Sequence, residues 1–192
     1  MSLFFKYDVA NVTGIKAAIS SEMVNKIDLW NLILQGRAPW NNSAEACGIV
    51  NSTIGQLANA VSEEIDVESN NEKLAEVMKK LNESAKEIVQ DVVAVGGCIV
   101  RPVYKNNKAQ FEIVKLGNYI PTSYDLDGTL LSCVITKKIT EGDKEYLLLE
   151  KHNYKNNAHA VEMELYKITG TTLKKVSLDA CSVTAGITPY YI

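Results

Sequence analysis

The stretch that decides the fold is residues 86–140, which read KEIVQDVVAVGGCIVRPVYKNNKAQFEIVKLGNYIPTSYDLDGTLLSCVITKKIT. Before Gly96 the apolar residues recur at the three-to-four-residue spacing of an amphipathic helix. After Gly97 apolar and polar residues alternate, as they do in strands with one buried face. A glycine between such patterns commonly ends a helix. The sequence therefore predicts helices before Gly96 and antiparallel strands after it.

Three main helices are predicted on the N-terminal side. They span about residues 21–35, with Ser20 or Ser21 as the cap, then about 43–61, and then 72–95, which carries the clearest helical period. The last turn of the third helix, Val92 to Val95, is apolar on all sides and is expected to be buried all round.

Two shorter stretches of the N-terminal half are weakly patterned. Residues 1–20 predict an arm or a short helix, and residues 65–68 predict a short strand within a solvated acidic connector.

The C-terminal half predicts a succession of hairpins. Strands over 98–104 and 109–114 flank a polar loop, and later turns at 141–143 and 155–157 separate further alternating runs. The predicted class is therefore α+β, with three main N-terminal helices packed on an antiparallel β-meander. The expected organisation is an arm (1–20), a helical part (21–95) and a sheet part (96–192), the three together forming one α+β domain.

Composition gives no support to several functional classes. The 192 residues are 46% hydrophobic and carry a formal charge of −3, so no bulk basic character indicates nucleic-acid binding. Residues 1–95 hold 8 Lys/Arg against 13 Asp/Glu, whereas residues 96–192 hold 12 against 10. No segment has the length and hydropathy of a signal peptide or membrane span, which makes a cytoplasmic setting the default expectation.

The four cysteines, Cys47, Cys98, Cys133 and Cys181, lie far apart in sequence. This spacing favours neither a zinc site nor a small disulfide scaffold, and buried free thiols are expected instead. No metal ligands and no cofactor are predicted.

The stretch Asp125-Leu126-Asp127-Gly128-Thr129 matches the D-x-D-G-T signature of haloacid-dehalogenase-type phosphohydrolases. In that chemistry the first Asp attacks phosphorus, the second acts as general acid and base, and magnesium bridges carboxylates and phosphate. The motif must follow a buried parallel strand, and Pro121 does not fit such a strand. A turn that leads into the next strand is the favoured interpretation. On this interpretation Asp125 and Asp127 match the motif in sequence but are not catalytic, and no catalytic residue is assigned.

Three other side chains attract attention. His152 and His159 flank a polar loop, with Glu150 on the same strand face as His152, and solvent-facing histidines near a hairpin end are expected. Arg101 stands in an apolar strand and is expected either to pair with a helix carboxylate or to face a partner.

The stretch from Trp30 to Trp40, WNLILQGRAPW, resembles a W-x-x-x-x-x-G-x-x-x-W motif of portal proteins from tailed phages of Gram-positive hosts. The similarity continues in element order: a helix, a short acidic strand, a long helix that ends in Gly96-Gly97, a strand with Arg101-Pro102-Val103, and a hairpin. The stretch Ile120-Pro121-Thr122-Ser123-Tyr124, an Asp-Gly turn and a meander then follow. The similarity to portal proteins covers most of residues 20–170.

The resemblance implies a structural virion protein without enzymatic activity. It implies that the 192 residues correspond to the N-terminal part of the peripheral wing of a longer protein. That protein would form a homo-oligomeric ring, usually dodecameric, at one capsid vertex, after assembly in the host cytoplasm. Double-stranded DNA would pass through the ring during packaging and ejection, and terminase and capsid or head-completion proteins would dock on it. No strong DNA site and no membrane contact are expected in these residues.

Two alternatives stay open from the sequence. One is a magnesium-dependent phosphohydrolase that uses Asp125 and Asp127. The other is a nucleic-acid-binding module, whose binding would be sensitive to salt.

Overall fold

The chain is seen in a computed structural model that describes residues 2–34, 37, 49–105, 108–155 and 158–185. The helices are α1 (Leu3–Lys6), α2 (Val9–Thr13), α3 (Ser21–Leu34), α4 (Ile49–Ser62), α5 (Glu72–Glu83) and α6 (Ala85–Val95). The strands are β1 (Cys98–Lys105), β2 (Lys108–Lys115), β3 (Tyr119–Tyr124), β4 (Leu130–Glu141), β5 (Lys144–Lys155), β6 (Ala158–Thr169) and β7 (Thr172–Val176). The predicted α+β class is confirmed.

The strands form two antiparallel sheets. β1 and β2 make a hairpin on their own, and β3 to β7 form a five-stranded sheet in sequence order, which is the predicted meander. Neighbouring strands follow one another directly in sequence, because each connection is a short turn.

The chain divides into two compact units. The meander unit combines Met1–Asn25 with Gly117–Ile192, and the helix–hairpin unit is Lys26–Leu116. These bounds differ from the predicted ones at residues 20 and 95. The N-terminal segment groups with the meander, and the β1–β2 hairpin groups with the helices.

One face of the meander is covered by the N-terminal segment. Phe4 of α1 and Val9 of α2 are fully buried there against Leu147 and Leu149 of β5. The two leucines share this face because strand side chains alternate in direction. The segment predicted as an arm is therefore part of the main core of its unit.

The opposite face of the meander carries a second apolar cluster. Tyr146, Leu148 and Leu165 pack there with Cys181, which belongs to the segment after β7. That segment is also held by hydrogen bonds: the Tyr146 hydroxyl donates to the Ala180 carbonyl at 3.0 Å, and the Ser182 N–H donates to Glu141 Oε1 at 2.9 Å.

The two edge strands of the meander are protected in different ways. β3 contains Pro121, which lacks an N–H, and the Pro121 carbonyl accepts a hydrogen bond from Ala18 N–H at 2.7 Å. β7 presents exposed Lys174 and Lys175, and charged residues on an edge disfavour pairing with another chain. Pro121, which argued against a parallel central strand, fits this antiparallel edge.

In the helix–hairpin unit, α4 packs against α6 through small residues. Ala58 is fully buried, and Gly55 lies beside Gln90 of α6. α6 ends at Gly96, whose backbone is left-handed (φ 92°) and whose N–H donates to the Val92 carbonyl at 3.0 Å. The predicted helix stop at Gly96 is confirmed.

The third predicted helix differs from the structure in two respects. It consists of two helices that meet at Ser84, whose N–H lies within hydrogen-bond distance of both the Lys80 and Leu81 carbonyls. Its last turn is not buried all round, because Val92 and Val93 are 48% and 42% exposed. The elements packed on α6 within this unit cover only part of its circumference.

The strand predicted at residues 65–68 is wrong. The stretch is irregular, and the Asn82 side chain of α5 takes the place of a neighbouring strand. Asn82 Oδ1 accepts from Val67 N–H at 3.0 Å, and Asn82 Nδ2 donates to the Val67 carbonyl at 3.2 Å. Backbone groups satisfied in this way need no sheet partner.

The first two helices agree in part with prediction. Ser20 caps α3, since its Oγ accepts from Met23 N–H at 3.1 Å. Val24 and Ile27 are its buried residues, whereas Met23 and Trp30 are half exposed. The predicted start of the second helix near residue 43 and the loop at 106–107 lie outside the described residues.

Candidate functional site

The Asp125–Thr129 stretch is an exposed hairpin turn between β3 and β4. Asp125 Oδ1 accepts hydrogen bonds from Asp127 N–H at 3.0 Å and from Thr129 N–H at 2.8 Å. Gly128 N–H donates to the Asp125 carbonyl, and Gly128 has φ 81°, a left-handed conformation that glycine adopts without strain. The turn interpretation of this motif is confirmed.

The surroundings of Asp125 and Asp127 differ from those of a phosphohydrolase. The preceding strand is an antiparallel edge strand rather than a buried parallel one. Between the two carboxyl-bearing residues, Leu126 extends fully into solvent. Asp125 Oδ1 accepts hydrogen bonds from the backbone of its own turn. In a phosphohydrolase, a carboxylate oxygen of this residue would have to be free to attack phosphorus.

His152 and His159 lie together on one face of the β5–β6 hairpin. Their rings are stacked, with centroids 5.2 Å apart, and His152 Nδ1 is 3.1 Å from His159 Nε2. Glu150, which is only 6% exposed, places Oε2 at 3.6 Å from His152 Nε2. The expectation of solvent-facing histidines is wrong, because both rings are partly buried and contact each other.

A charged network occupies the other face of the same strands. Glu164 of β6 binds Lys151 at 2.8 Å, Lys175 and the Tyr166 hydroxyl at 2.9 Å. Burial of Glu164 alone would raise the pKa of its carboxyl, but these three hydrogen bonds lower that pKa to about 2. Burial and the bond to Glu164 raise the pKa of Tyr166 to about 12. The network stabilises the sheet, because Lys151, Lys175 and Tyr166 all bind the same carboxylate.

A second charged cluster joins α6 to the β1–β2 hairpin. Lys115 Nζ lies 3.1 Å from Glu87 Oε1 and 3.3 Å from Asp91 Oδ1. Burial raises the pKa of Asp91, and burial together with the Asp91 charge raises the pKa of the nearby Cys98 thiol. A raised pKa keeps a cysteine in the thiol form, which is the unreactive one.

The remaining candidate residues make contacts that support the fold. Arg101 pairs with Glu112, its register partner on β2, with Nε 3.0 Å from Oε2. Cys133 and Cys181 are buried free thiols as expected, and Cys98 is partly buried. Cys47 and Trp40 lie outside the described residues.

Three further observations complete the description of possible sites. Within the described ranges, no three His, Cys, Asp or Glu side chains converge to hold a metal ion. An open depression of about 280 Å³ lies beside the connector before α5, lined by Asp66, Met78, Lys79 and Asn82 among others. Among all the described residues, no helix is both long and apolar enough to cross a membrane.

Sequence alone indicated the turn chemistry of Asp125 but missed the two clusters on the meander. The contact between His152 and His159 depends on the β5–β6 register, which pairs Tyr154 with His159 and His152 with Val161. The ring of partners around Glu164 depends on three strands. The sequence signals only β6, where Glu162 and Glu164 alternate with apolar residues.

Comparison with known proteins leaves the family of this chain open. No protein-family model matches the sequence, and no curated protein has a significant match to it.

Proposed function

We propose that this chain is the N-terminal wing part of a phage or prophage portal, a structural virion protein that acts without catalysis. The support is the order of elements. α3 carries Trp30 of the resembling motif, α5 and α6 deliver the chain through Gly96 into the β1–β2 hairpin, and the Pro121 strand leads by an Asp-Gly turn into a meander.

The geometry of the Asp125 turn adds support, because it gives the most catalytic-looking stretch a structural role. A turn closed on its own carboxylate suits a β-meander that serves as scaffold. Under this proposal the longer protein assembles a ring at one capsid vertex, DNA passes through it, and terminase and head-completion proteins bind it.

Mass spectrometry of purified particles tests the proposal. Cells that carry the gene are treated to induce prophages, and DNA-filled particles are isolated on a density gradient. Tryptic peptides from residues 139–175 should co-purify with the particles, at far lower abundance than the major capsid protein. Their presence in the cell extract combined with absence from the particles would contradict the proposal.

A phosphatase assay tests the enzymatic alternative separately. The chain and its Asp125→Asn variant are incubated with magnesium and a chromogenic phosphate ester. We expect equal background release from both. Magnesium-dependent turnover that the variant loses would overturn the non-catalytic assignment.

A further inference from the structure

The polar cluster of Glu150, His152 and His159 is built into an otherwise apolar part of the meander. Its register neighbours on the same face are Cys133 on β4 and Val161 on β6, both at most 5% exposed. Burying ionisable groups among apolar residues is costly unless they bind one another. The stacked rings and the 3.1 Å contact between His152 Nδ1 and His159 Nε2 provide that binding for the two rings, whereas His152 Nε2 is buried without a hydrogen-bond partner among the described residues.

The protonation of the two rings follows from this geometry. A hydrogen bond between two ring nitrogens requires one N–H and one acceptor. Because the Glu150 carboxylate lies 3.6 Å from His152 Nε2, that nitrogen is the better place for the His152 proton. His152 Nδ1 is then the acceptor, and His159 Nε2–H is the donor.

The pair accommodates one additional proton but not two. When His152 gains a proton at Nδ1, His159 can shift its own proton to Nδ1 and accept through Nε2, while Glu150 balances the charge. When both rings are charged, two N–H groups face each other and the rings repel. Burial and the neighbouring His152 both lower the pKa of His159, in agreement with a disfavoured second proton.

We propose that His152 and His159 form a pH-sensitive latch on the outer end of the β5–β6 hairpin. The latch is closed while a single N–H lies between the facing nitrogens, and it opens when both rings are protonated at mildly acidic pH.

Few other charges in the described part of this face can alter that behaviour. The titratable side chains nearest in register are Tyr119 on β3, Cys133 and Lys137 on β4, and Tyr154 on β5. Lys137 is the cation among these four; it lies opposite Leu148, diagonal to Glu150, and is exposed. Lys151 alternates to the opposite face and binds Glu164. The segment after β7, which covers the other end of this face, brings Asp179, which is exposed.

Imidazole NMR tests the latch directly, because the chain has only two histidines. Long-range ¹H–¹⁵N spectra of the labelled chain, recorded from pH 8 to pH 4.5, follow both rings. We expect Nε2–H tautomers at pH 8 and two titration steps separated by about one pH unit or more. In a His152→Gln variant, the pKa of His159 should rise toward the ordinary value of about 6.5.

Amide hydrogen exchange supplies the conformational readout. As the pH falls toward the second step, exchange at residues 152–155 and 158–161 should accelerate by up to about tenfold per pH unit relative to the intrinsic rate, and it should level off below that step, where the latch is open. The buried strand centre at residues 147–149 should not change. In a His159→Gln variant, which keeps a polar side chain but cannot gain a second charge, the acceleration should vanish. Two histidines that titrate together near 6.5, or exchange that is unaffected by the second step, would overturn the proposal.

Discussion

Asp125 shows at the residue scale how one side chain supports two different interpretations. Its D-x-D-G-T context is that of a phosphoryl nucleophile, yet its Oδ1 accepts from two backbone N–H groups of its own turn. The local chemistry of an Asp followed by Asp-Gly was enough to predict the turn, because short-range hydrogen bonds depend only on nearby sequence.

Replacement of Asp125 should therefore affect stability rather than activity. Asp125→Ala removes the acceptor of both bonds and should lower the free energy of unfolding by about 1 kcal/mol. Asp127→Ala is the matched control, because its substitution leaves both Asp125 bonds in place, and its effect should be within about 0.5 kcal/mol. Urea unfolding of the two variants measures both values. Equal effects would show that the turn does not depend on Asp125.

Glu164 and Tyr166 predict a pH dependence of stability. The pKa of Glu164 is lowered from 4.5 to about 2, so its contribution is present above pH 4.5 and is lost as the pH falls toward 2. The pKa of Tyr166 is raised from 10 to about 12, so its contribution is present below pH 10 and is lost as the pH rises toward 12. The Glu164 contribution should be no more than about 2 kcal/mol, because Lys175 is largely in solvent.

Thermal unfolding across pH, with Glu164→Gln for comparison, measures this contribution. The wild-type chain should lose more stability than the variant between pH 4.5 and pH 2. Parallel curves for the two proteins would contradict the role of the Glu164 network.

At the element scale, replacing either of two helix glycines by alanine should change the stability in opposite directions. Gly96 ends α6 with φ 92°, so Gly96→Ala strains the backbone and should cost about 1 kcal/mol. Gly55 lies inside α4, where the one contact that an added Cβ would make with the described residues is with Gln90 Nε2, at an ordinary 3.9 Å. Gly55→Ala should therefore stabilise the chain by about 0.5–1 kcal/mol. Chemical denaturation of the pair measures both signs, and two changes of the same sign would refute the assignment.

The elements that sequence predicted well are those set by local signals. The helix stop at Gly96, the Ser20 cap and the turns at Asp125 and Gly142 each rest on a few adjacent residues. The features that the sequence did not predict depend on contacts between residues far apart in sequence. Asn82, fifteen residues after Val67, binds the Val67 backbone, so no strand forms there. The partial exposure of Val92 likewise depends on which elements pack against α6, and periodicity does not contain that information.

At the scale of the whole molecule, the packing of the N-terminal segment is the largest feature that the sequence did not predict. Residues 1–20 carry no clear period, yet Phe4 is 1% exposed within the meander core. Two very short helices that pack on a sheet leave almost no periodic signal.

Phe4→Ala tests that packing. The substitution should destabilise the meander unit by about 3–5 kcal/mol, because it leaves a cavity beside Leu147 and Leu149. Val12→Ala, at a side chain that is 44% exposed, is the control and should cost less than about 1 kcal/mol. Loss of β-sheet signal on heating, followed by circular dichroism, reports the difference. A Phe4→Ala midpoint equal to that of Val12→Ala would exclude a core role.

The isolated 192-residue chain should be monomeric or only weakly associated in solution. The resemblance places part of the ring contacts in residues that a longer portal would supply. Multi-angle light scattering at increasing concentration measures the mass, and a stable large ring from these residues alone would contradict the expectation.

Immunogold electron microscopy of intact particles tests the portal proposal most directly. Antibodies raised against the purified chain are applied to particles, with and without mild disruption of the head. The proposal predicts gold at a single vertex, where the tail joins the head, once that vertex is accessible. Gold spread over the whole head or along the tail, or no gold on disrupted particles, would contradict it.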